Sequence, residues 1–502
     1  MSRLFRDGWH IVLGIETHAQ INSTQKLFSS APTSLLAHDS NTRFNAFDAA
    51  FPGTLPLLNP KCVLLALRAS LALNCRIQNR STFDRKHYFY PDLPVGYQIT
   101  QHYAPIAKDG YLELPVSKKR VRIQQVQMEQ DTAKSISEPR AHKSHIDLNR
   151  SGTGLLEIVT EPDLQSPEEA SEYVRALQAT LRAVGASDGN MESGSMRCDV
   201  NVSVNRSGDP FGTRCEIKNV NSFRYIVGAI NFEVDRQIAL ISSGQAVEQE
   251  TRGFDHYKWE TFKLRSKEDA PDYRYMPDPN LGVLTISQSE ITNIRDRLPP
   301  LPDAIRSRLL DRYESQGVSV NDVDILMGLD TTRLVPFDGE HSTQDMGAVD
   351  YFEQVVDNGR RSAKAVSNWM LNNLLGQLSA HSMEFSSTRV PPEQLGALVD
   401  LVTSNTITTA SGKLLLRHLV AHPSSASVEQ VARSLKLVED QGDDLSAICQ
   451  RVVEAMPKEV ASFKSGNENV VNRLLGKVMK DTRGRADAHA AKTTLLSLLK
   501  SY

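Results

Sequence analysis

The first 285 residues place short runs of β-type residues between turn-forming Gly, Pro, Asn and Asp. Residues 199–204 alternate polar and apolar side chains with a period of two, which is typical of a half-buried strand. Similar runs occupy residues 11–13, 120–126 and 283–286. The pattern predicts an α+β fold for this part of the chain, built on a mostly antiparallel sheet.

Two helical patterns interrupt the strands. Ser166 is a predicted N-cap, followed by Pro167 at the first helical position and by acidic residues in the first turn. Val174, Leu177 and Leu181 then recur at helical spacing. A second helix is predicted from about residue 225 to 241.

The carboxy-terminal part has a different texture. Residues 287–302 end in Leu-Pro-Pro-Leu-Pro, an extended stretch that favours a domain boundary. Apolar residues then repeat at helical spacing, with loops predicted near 380–392 and 403–412. We therefore predict an α+β domain over 1–290, a helical connector over 291–360 and a small helical tail domain over 361–502.

Composition narrows the class of protein. Of the 502 residues, 40% are hydrophobic and 23% are charged, which is ordinary for a globular protein, and no window has the roughly 18 uninterrupted apolar residues of a membrane span. The net charge of −3 means that a nucleic-acid partner needs a local basic surface. Five cysteines without a C-x-x-C pair argue against a disulfide framework.

Polar residues that could carry chemistry occur in several clusters. Glu16 and His18 lie two apart, so in a strand they share a face, where they could bind a cation or share a proton, or simply be solvated. Glu129 lies in the run 127–131, just past a predicted strand, and Glu157 follows a glycine-rich turn. Carboxylates in such places can ligate Mg²⁺. A tight turn and a solvated strand are the alternatives.

Further candidates follow in the chain. Arg197, Asp199, Lys218, Asn219 and Asn221 offer groups that could fix a phosphate, a ribose or a carboxylate, although asparagines also favour turns and Ser222 could be a helix N-cap. Arg252 and Arg274 could clamp an anion, or form ion pairs with nearby aspartates.

The order of these motifs resembles the B subunit of the tRNA-dependent amidotransferase. The matching runs are Gly-Ile-Glu-Thr-His at 14–18, Arg-Lys-His-Tyr-Phe-Tyr-Pro-Asp at 85–92, Gln-Met-Glu-Gln-Asp at 127–131, Glu-Ile-Val-Thr-Glu-Pro-Asp at 157–163 and Lys-Asn-Val-Asn-Ser at 218–222. The resemblance extends from about residue 10 to the carboxy terminus.

This resemblance implies a ligase that forms a carbon–nitrogen bond with glutamine as the amido donor. ATP and Mg²⁺ activate the side-chain carboxylate of Glu on misacylated Glu-tRNA(Gln), and ammonia from a partner amidase (A) subunit then forms the amide. A small third subunit completes the complex. A non-catalytic tRNA-binding scaffold within the same complex is the alternative. Neither a Walker loop nor a G-x-S-x-G elbow is present in the sequence.

Site residues follow by position in the family motifs. Glu16, His18, Glu129 and Glu157 match the family's metal and phosphate site, with Asp199 as a further metal candidate. Arg197, Lys218, Asn219, Asn221, Arg252 and Arg274 are expected to contact ATP or the aminoacyl end.

Gln130 departs from the common family pattern, which has a glutamate there. The substitution removes one charge, so the first metal position is supported and a second one stays open. The Gln-x-Glu-Gln-Asp form resembles mitochondrial members, and we therefore expect a mitochondrial protein, with the cytoplasm of a bacterium as the alternative.

The carboxy-terminal tail combines an apolar face with a basic one. Arg473, Lys477 and Lys480 recur at helical spacing, and Arg485 follows them. By resemblance to the family's tRNA-body-binding module, these four residues are expected to bind tRNA through its phosphates. A solvated helix face is the alternative.

Overall fold

The computed structural model describes residues 8–33, 39–138, 140, 142–266, 272–330, 335–339, 346–423, 426–438, 445–464, 467–482 and 488–501. Contacts divide the chain into two units. The first comprises Met1–Ile305 with Leu334–His341, and the second comprises Arg306–Arg333 with Ser342–Tyr502.

The first unit contains the strands. Their bounds are β1 (Trp9–Gln20), β2 (Arg76–Ile77), β3 (Arg80–Ser81), β4 (Asp84–His87), β5 (Tyr97–Thr100), β6 (Ala107–Glu113), β7 (Arg120–Gln130), β8 (Lys134–Glu138), β9 (Lys143–Asp147), β10 (Gly154–Thr160), β11 (Met196–Arg206), β12 (Cys215–Val220), β13 (Glu250–Asp255), β14 (Glu260–Ser266), β15 (Met276–Pro277) and β16 (Leu284–Thr285). Its helices are α1 (Pro60–Ala72), α2 (Pro167–Ala183), α3 (Phe223–Ser242) and α4 (Gln288–Asp296).

Within the described residues, nine strands form one sheet in the order β14-β13-β12-β11-β1-β10-β7-β6-β2. Only β12 and β13 run parallel among these neighbours, so the sheet is mostly antiparallel, and the α+β prediction is confirmed. β1 is the central strand. A separate three-stranded sheet has the order β15-β4-β5.

One face of the large sheet is apolar and covered by helices. Leu13 and Ile15 of β1 are opposite Val202 and Val200 of β11, and all four side chains are buried. α3 packs on β11 and on α2, and α1 packs near β6 and β7. Because side chains alternate along a strand, the residues between these apolar positions face the other side of the sheet. That second face carries the polar clusters.

Sequence signals at helix ends agree with the structure. The Ser166 side chain accepts a hydrogen bond from the Glu169 backbone amide and caps α2, as predicted. α3 begins two residues earlier than expected, with Ser222 in the N-cap position. Residues 288–296, which precede the Leu-Pro-Pro-Leu-Pro run, form α4, and Ser287 and Glu290 make a capping box at its start.

The second unit is helical. Its elements are α5 (Pro302–Tyr313), which begins in the first unit, α6 (Val320–Asp330), α7 (Ala348–Val356), α8 (Ala363–Ser367), a π-helical segment (Asn368–Leu374), α9 (Leu375–Ala380), α10 (Pro392–Thr403), α11 (Thr409–Ala421), α12 (Val428–Ser434), α13 (Leu445–Ala455), α14 (Pro457–Lys464), α15 (Val471–Asp481) and α16 (Ala488–Ser501). α11 begins inside the predicted loop 403–412. Thr408 is its N-cap, and the Thr408 side chain accepts a hydrogen bond from the Ser411 backbone amide. Apolar residues of α13–α16 form their own core.

Candidate functional site

The pairing of β1 with its neighbours brings distant polar residues together. Glu16 lies opposite Asp199 of β11, and His18 lies between Glu157 of β10 and Arg197 of β11. Directly opposite residues in a sheet project from the same face. These side chains therefore share the face that α1–α3 leave uncovered.

Three of these side chains could hold a metal ion. One ligand atom each from Glu16, His18 and Glu157 lie within 4.8 Å of one another. The His18 Nε2 atom is 3.6 Å from a Glu16 oxygen. Gln127 of β7, opposite Glu157, donates a side-chain hydrogen bond to it. We call the set Glu16, His18, Glu129 and Glu157 the acid cluster.

Glu129 enters the acid cluster from inside β7. The prediction placed the run 127–131 beyond the end of a strand, but β7 continues to Gln130 because β10 pairs with it as far as Gly154. Glu129 thus lies two residues along from Gln127 and on the same face. Its Oε2 atom is buried and accepts no hydrogen bond from the described residues, and the Lys86 ammonium lies 3.5 Å away.

Burial and neighbouring charge set the electrostatics of the acid cluster. Burial raises the pKa of Glu157 well above its usual value, and the carboxylates of Glu129 and Glu16 raise it further. For Lys86, burial lowers the pKa of the amine, but attraction to Glu129 and Glu157 outweighs burial, and the net shift is upward. The lysine therefore stays charged beside carboxylates that repel one another.

A β-bulge places Lys218 and Asn219 against Asp199. Cys198 pairs with Val220 and Val200 pairs with Ile217, so two residues of β12 face the single residue between them. Lys218 Nζ is 2.6 Å from Asp199, and the Asn219 amide donates to the same carboxylate at 2.8 Å. Burial raises the pKa of Asp199, but Lys218 and His18 outweigh it, and the net shift is downward.

Arg197 is close to the acid cluster but already paired. Its guanidinium donates to Asp131 at 3.1 Å, and Arg150 lies 3.4 Å from the same buried carboxylate. Asn221 is exposed just before α3. Gln130 does not point at the acids; its side-chain oxygen accepts from the Ile99 amide at 3.3 Å.

The structure does not bring Arg252 to the acid cluster. Arg252 lies opposite Ile217, which pairs with Val200 on the helix-covered face. Its buried guanidinium pairs with Glu233 at 3.1 Å and with Glu250. Arg274 is exposed, 3.7 Å from Asp272, and its backbone carbonyl contacts His87 of β4.

Sequence reasoning missed Lys86, Gln127 and Asp131. Lys86 lies in the run 85–92, which carries the family resemblance but no predicted role, and its only local signal is a lysine in a polar strand. Gln127 and Asp131 flank Glu129 in the matching motif. The acidic partner of Gln127 is on β10 and the Arg197 partner of Asp131 is on β11, so spacing alone does not reveal them.

On α15 the basic residues form an exposed row. Val471, Leu474 and Val478 are buried, whereas Arg473, Lys477 and Lys480 are exposed, as the periodicity predicted. Lys477 pairs with Asp481 at 2.9 Å. The fourth predicted tRNA-binding residue, Arg485, lies outside the described residues.

Comparison with protein families gives two matches along the chain. Residues 11–292 match the GatB/GatE catalytic domain, and residues 350–499 match the GatB domain. The chain belongs to the GatB/GatE family. The acid cluster lies entirely within the stretch that matches the catalytic domain. Members of this amidotransferase family use ATP and Mg²⁺.

Curated relatives carry names consistent with this family. The chain is 51% identical to the B subunit of the mitochondrial glutamyl-tRNA(Gln) amidotransferase of Laccaria bicolor, over 98% of this chain and 92% of the relative. The mitochondrial protein of that name from Cryptococcus neoformans is 47% identical, over 98% and 94%. The B subunit of the aspartyl/glutamyl-tRNA(Asn/Gln) amidotransferase of Rickettsia bellii is 42% identical, over 95% of each.

Among the described helices, none combines the length and apolar character that crossing a lipid bilayer requires.

Proposed function

We propose that the chain is the component of a mitochondrial tRNA-dependent amidotransferase that activates glutamate on misacylated Glu-tRNA(Gln). In the first step an oxygen of the glutamate side chain attacks the γ-phosphorus of ATP, and ADP leaves. In the second step ammonia displaces phosphate and forms the amide of Gln-tRNA(Gln). The acid cluster, inside the family's catalytic domain, is the observation that carries this proposal.

The residues of the acid cluster fit a divalent cation. The buried Glu129 Oε2 and His18 Nδ1 atoms receive no hydrogen bond from the described residues, which is costly unless something else satisfies them. Three carboxylates supply the oxygen ligands that Mg²⁺ prefers. Glu16, Glu129 and Glu157, with His18, would hold the ion. When bound, Mg²⁺ neutralises charge on the transferring phosphoryl group.

The cations around the acid cluster have complementary tasks. Lys86 stays protonated beside Glu129 and offers its charge to phosphate oxygens. Lys218 is held by Asp199 and Glu216, which fixes its ammonium at the edge of the same face. Arg197, held by Asp131, faces His18 from β11. Positioned positive charges of this kind stabilise the transition state of phosphoryl transfer.

Arg252 and Arg274 fit this proposal differently from the residues above. The buried ion pairs of Arg252 with Glu233 and Glu250 support a role in joining β13 to α3. Arg274, Asn219 and Asn221 are exposed, so they are accessible for the contacts with ATP or with the aminoacyl end that we propose for them.

A division of labour along the chain follows from the proposal. Residues 1–290 act on ATP and the acceptor end, residues 291–360 connect, and residues 361–502 bind the body of the tRNA. The exposed basic row on α15 supports the last assignment, because phosphate contacts from lysine and arginine supply most of the affinity for nucleic acid. An amidase subunit supplies the ammonia, and a small third subunit completes the complex.

Replacing Glu129 with glutamine tests the assignment. In the reconstituted complex, we expect Glu129→Gln to lower Gln-tRNA(Gln) formation by about 100-fold or more, the scale for loss of one preorganised charge-stabilising group. Binding of tRNA should change little. Glu138→Gln, an exposed glutamate on β8, is the matched control and should behave as the unmodified chain. Full activity of Glu129→Gln would contradict the proposal.

Phosphate release separates the enzyme from the scaffold alternative. With ATP and Glu-tRNA(Gln) but no glutamine, an activating enzyme still releases inorganic phosphate as the acyl phosphate hydrolyses. The Glu129→Gln complex should not release it. If the unmodified complex releases no phosphate above the level without Glu-tRNA(Gln), the scaffold alternative is favoured. Purification from the source cell, with partners and compartment recorded, tests the mitochondrial assignment.

A further inference from the structure

Beside the acid cluster, the segments that flank the strands of the small sheet β15-β4-β5 carry a continuous row of aromatic rings. We call it the aromatic wall, and its members are Tyr90, Tyr88, Tyr273, Tyr275, His102 and Tyr103. Successive ring centroids are separated by 5.8 Å from Tyr90 to Tyr88, 5.9 Å to Tyr273 and 6.0 Å to Tyr275. His102 stacks on Tyr275 at 3.8 Å with an interplanar angle of 8°, and Tyr103 lies beside both.

Lys86 joins the aromatic wall to the acid cluster. Its ammonium lies 3.5 Å from Glu129 and 5.2 Å from the centroid of Tyr273. Burial raises the pKa of Tyr275 to about 12, and the negative charges of Glu129 and Glu157 contribute to that rise. A molecule with its phosphates at the acid cluster therefore has the aromatic wall within reach of its other end.

Both ends of the aromatic wall are open to solvent. Tyr103 is 60% exposed and Tyr90 is 57% exposed, although aromatic rings normally bury most of their surface. Both lie in connections beyond the ends of short strands, Tyr103 after β5 and Tyr90 after β4. Arg274 is the residue between Tyr273 and Tyr275, and 82% of its side chain is exposed. Flat, exposed rings with a neighbouring cation suit a planar base attached to phosphate.

We propose that the aromatic wall is a stacking platform for an adenine base, with Tyr103 and His102 as its contact surface. The inference rests on the proposed function, which brings two adenosines to this face. One belongs to ATP, and the other is the 3′-terminal nucleoside that carries the glutamate. In either case the base stacks on the wall while the reacting group lies at the acid cluster.

Substituting Tyr103 tests the platform and identifies the source of the base. Tyr103→Leu keeps apolar bulk and removes the ring, and Tyr103→Phe keeps the ring. In the reconstituted complex, Tyr103→Leu should raise a single KM by about tenfold, within the range for loss of one base–aromatic stack. The rate at saturating substrate should stay within about twofold. A rise in KM for ATP assigns the base to ATP, and a rise in KM for Glu-tRNA assigns it to the tRNA end.

Two controls keep the result interpretable. Tyr103→Phe should restore the original KM, since the stacking face is present again. Tyr257→Leu removes a tyrosine that is 86% exposed in the turn between β13 and β14, and it should leave both constants unchanged. His102→Leu, a second variant of the platform, should raise the same KM as Tyr103→Leu does.

Several results would overturn the platform. One is an unchanged KM for both substrates in Tyr103→Leu and His102→Leu. Another is a loss in Tyr103→Phe as large as that in Tyr103→Leu, because the hydroxyl and not the ring would then matter. A third is loss of the partner subunits on purification with both constants intact, which would make the wall a protein interface. If Glu129→Gln is inactive and Tyr103→Leu keeps both KM values, the stacking platform is contradicted while the proposed function is still supported.

Discussion

The surroundings of Glu157 show how the acid cluster lowers the stability of the folded protein. Its carboxyl is buried, and two further carboxylates, those of Glu129 and Glu16, raise its pKa. Like charges brought together away from water repel strongly, and Lys86 opposes that repulsion by lowering the pKa. A group with these neighbours destabilises the protein in the absence of a cation while it remains available to one. Strain of this kind at a functional site is common.

We predict that Glu157→Gln stabilises the protein while it abolishes activity. Because the pKa of Glu157 is raised on folding, the folded state binds its proton more tightly than the unfolded state does. Stability is therefore lost as pH rises from the ordinary glutamate pKa through the raised one. Thermal unfolding without Mg²⁺ should give Glu157→Gln the higher Tm at about pH 8, with a smaller gap at about pH 5. An equal gap at both pH values would contradict the assigned shift.

The two candidate arginines of the 250–275 region illustrate the limit of residue-level prediction. For Arg252 and Arg274 alike, the local sequence allows either anion binding or an ion pair with a nearby aspartate. The structure buries Arg252 among Glu233 and Glu250 and leaves Arg274 in solvent. No residue near Arg252 in the sequence predicts its pairing with Glu233, which belongs to α3. Burial of an arginine depends on its tertiary partners, and one sequence does not reveal them.

At the scale of elements, local signals were the ones that predicted well. The N-cap at Ser166 and the alternation in β11 both depend on residues within a few positions. The end of β7 was predicted less well, because the sequence places the run 127–130 beyond the end of the strand. Those residues are strand because β10 pairs with them. The meeting of Glu129, Glu157 and His18 likewise depends on register between strands far apart in sequence.

At Gly228, helix α3 packs closely against the hairpin formed by β13 and β14. A Cβ atom there would lie 2.6 Å from the Trp259 Cε3 atom, and the Phe254 ring is 3.2 Å away. Trp259 belongs to the turn between β13 and β14, so this glycine lets the hairpin pack on the helix. The same helix, with α2 and Trp259, lines a surface pocket of about 750 Å³ that contains none of the candidate site residues.

We predict that Gly228→Ala destabilises the protein by about 1–3 kcal/mol, the usual cost of overpacking a well-packed contact. Helix propensity alone would favour alanine by roughly 0.5–1 kcal/mol, so the sign of the change identifies the clash. In a Trp259→Leu background the penalty should shrink or reverse, since the two residues touch. The measurement is a double-mutant cycle of denaturant unfolding. Additive effects would disprove the contact.

At the scale of the whole molecule, charge is distributed unevenly. The chain carries a net charge of −3, yet the exposed face of α15 presents Arg473, Lys477 and Lys480. Long-range attraction to a tRNA therefore has to come from local surfaces such as this one. Lys477 already shares its charge with Asp481, 2.9 Å away. The two lysines should not contribute equally to binding.

We predict that Lys480→Ala weakens tRNA binding and lowers the dependence of log K on log salt by close to one, the effect of one lost phosphate contact. Lys477→Ala should have the smaller effect because Asp481 competes for its ammonium. Asp481→Asn should strengthen binding for the same reason. Salt titrations of tRNA affinity measure all three. If no variant changes the slope, the basic row is only a solvated face.

The central position of β1 has a consequence for how the protein is made. Among the described strands, β1 comes first in the sequence, and its sheet neighbours are β10 and β11. Leu13 and Ile15, fully buried in the finished protein, have no strand to pair with until Gly154–Thr160 and Met196–Arg206 have followed. Until its partner strands are made, β1 exposes apolar side chains and an unpaired backbone. Such a strand is prone to bind chaperones and to aggregate. Fragments that end before β11 should therefore be insoluble, and they should also lack any part of the activity.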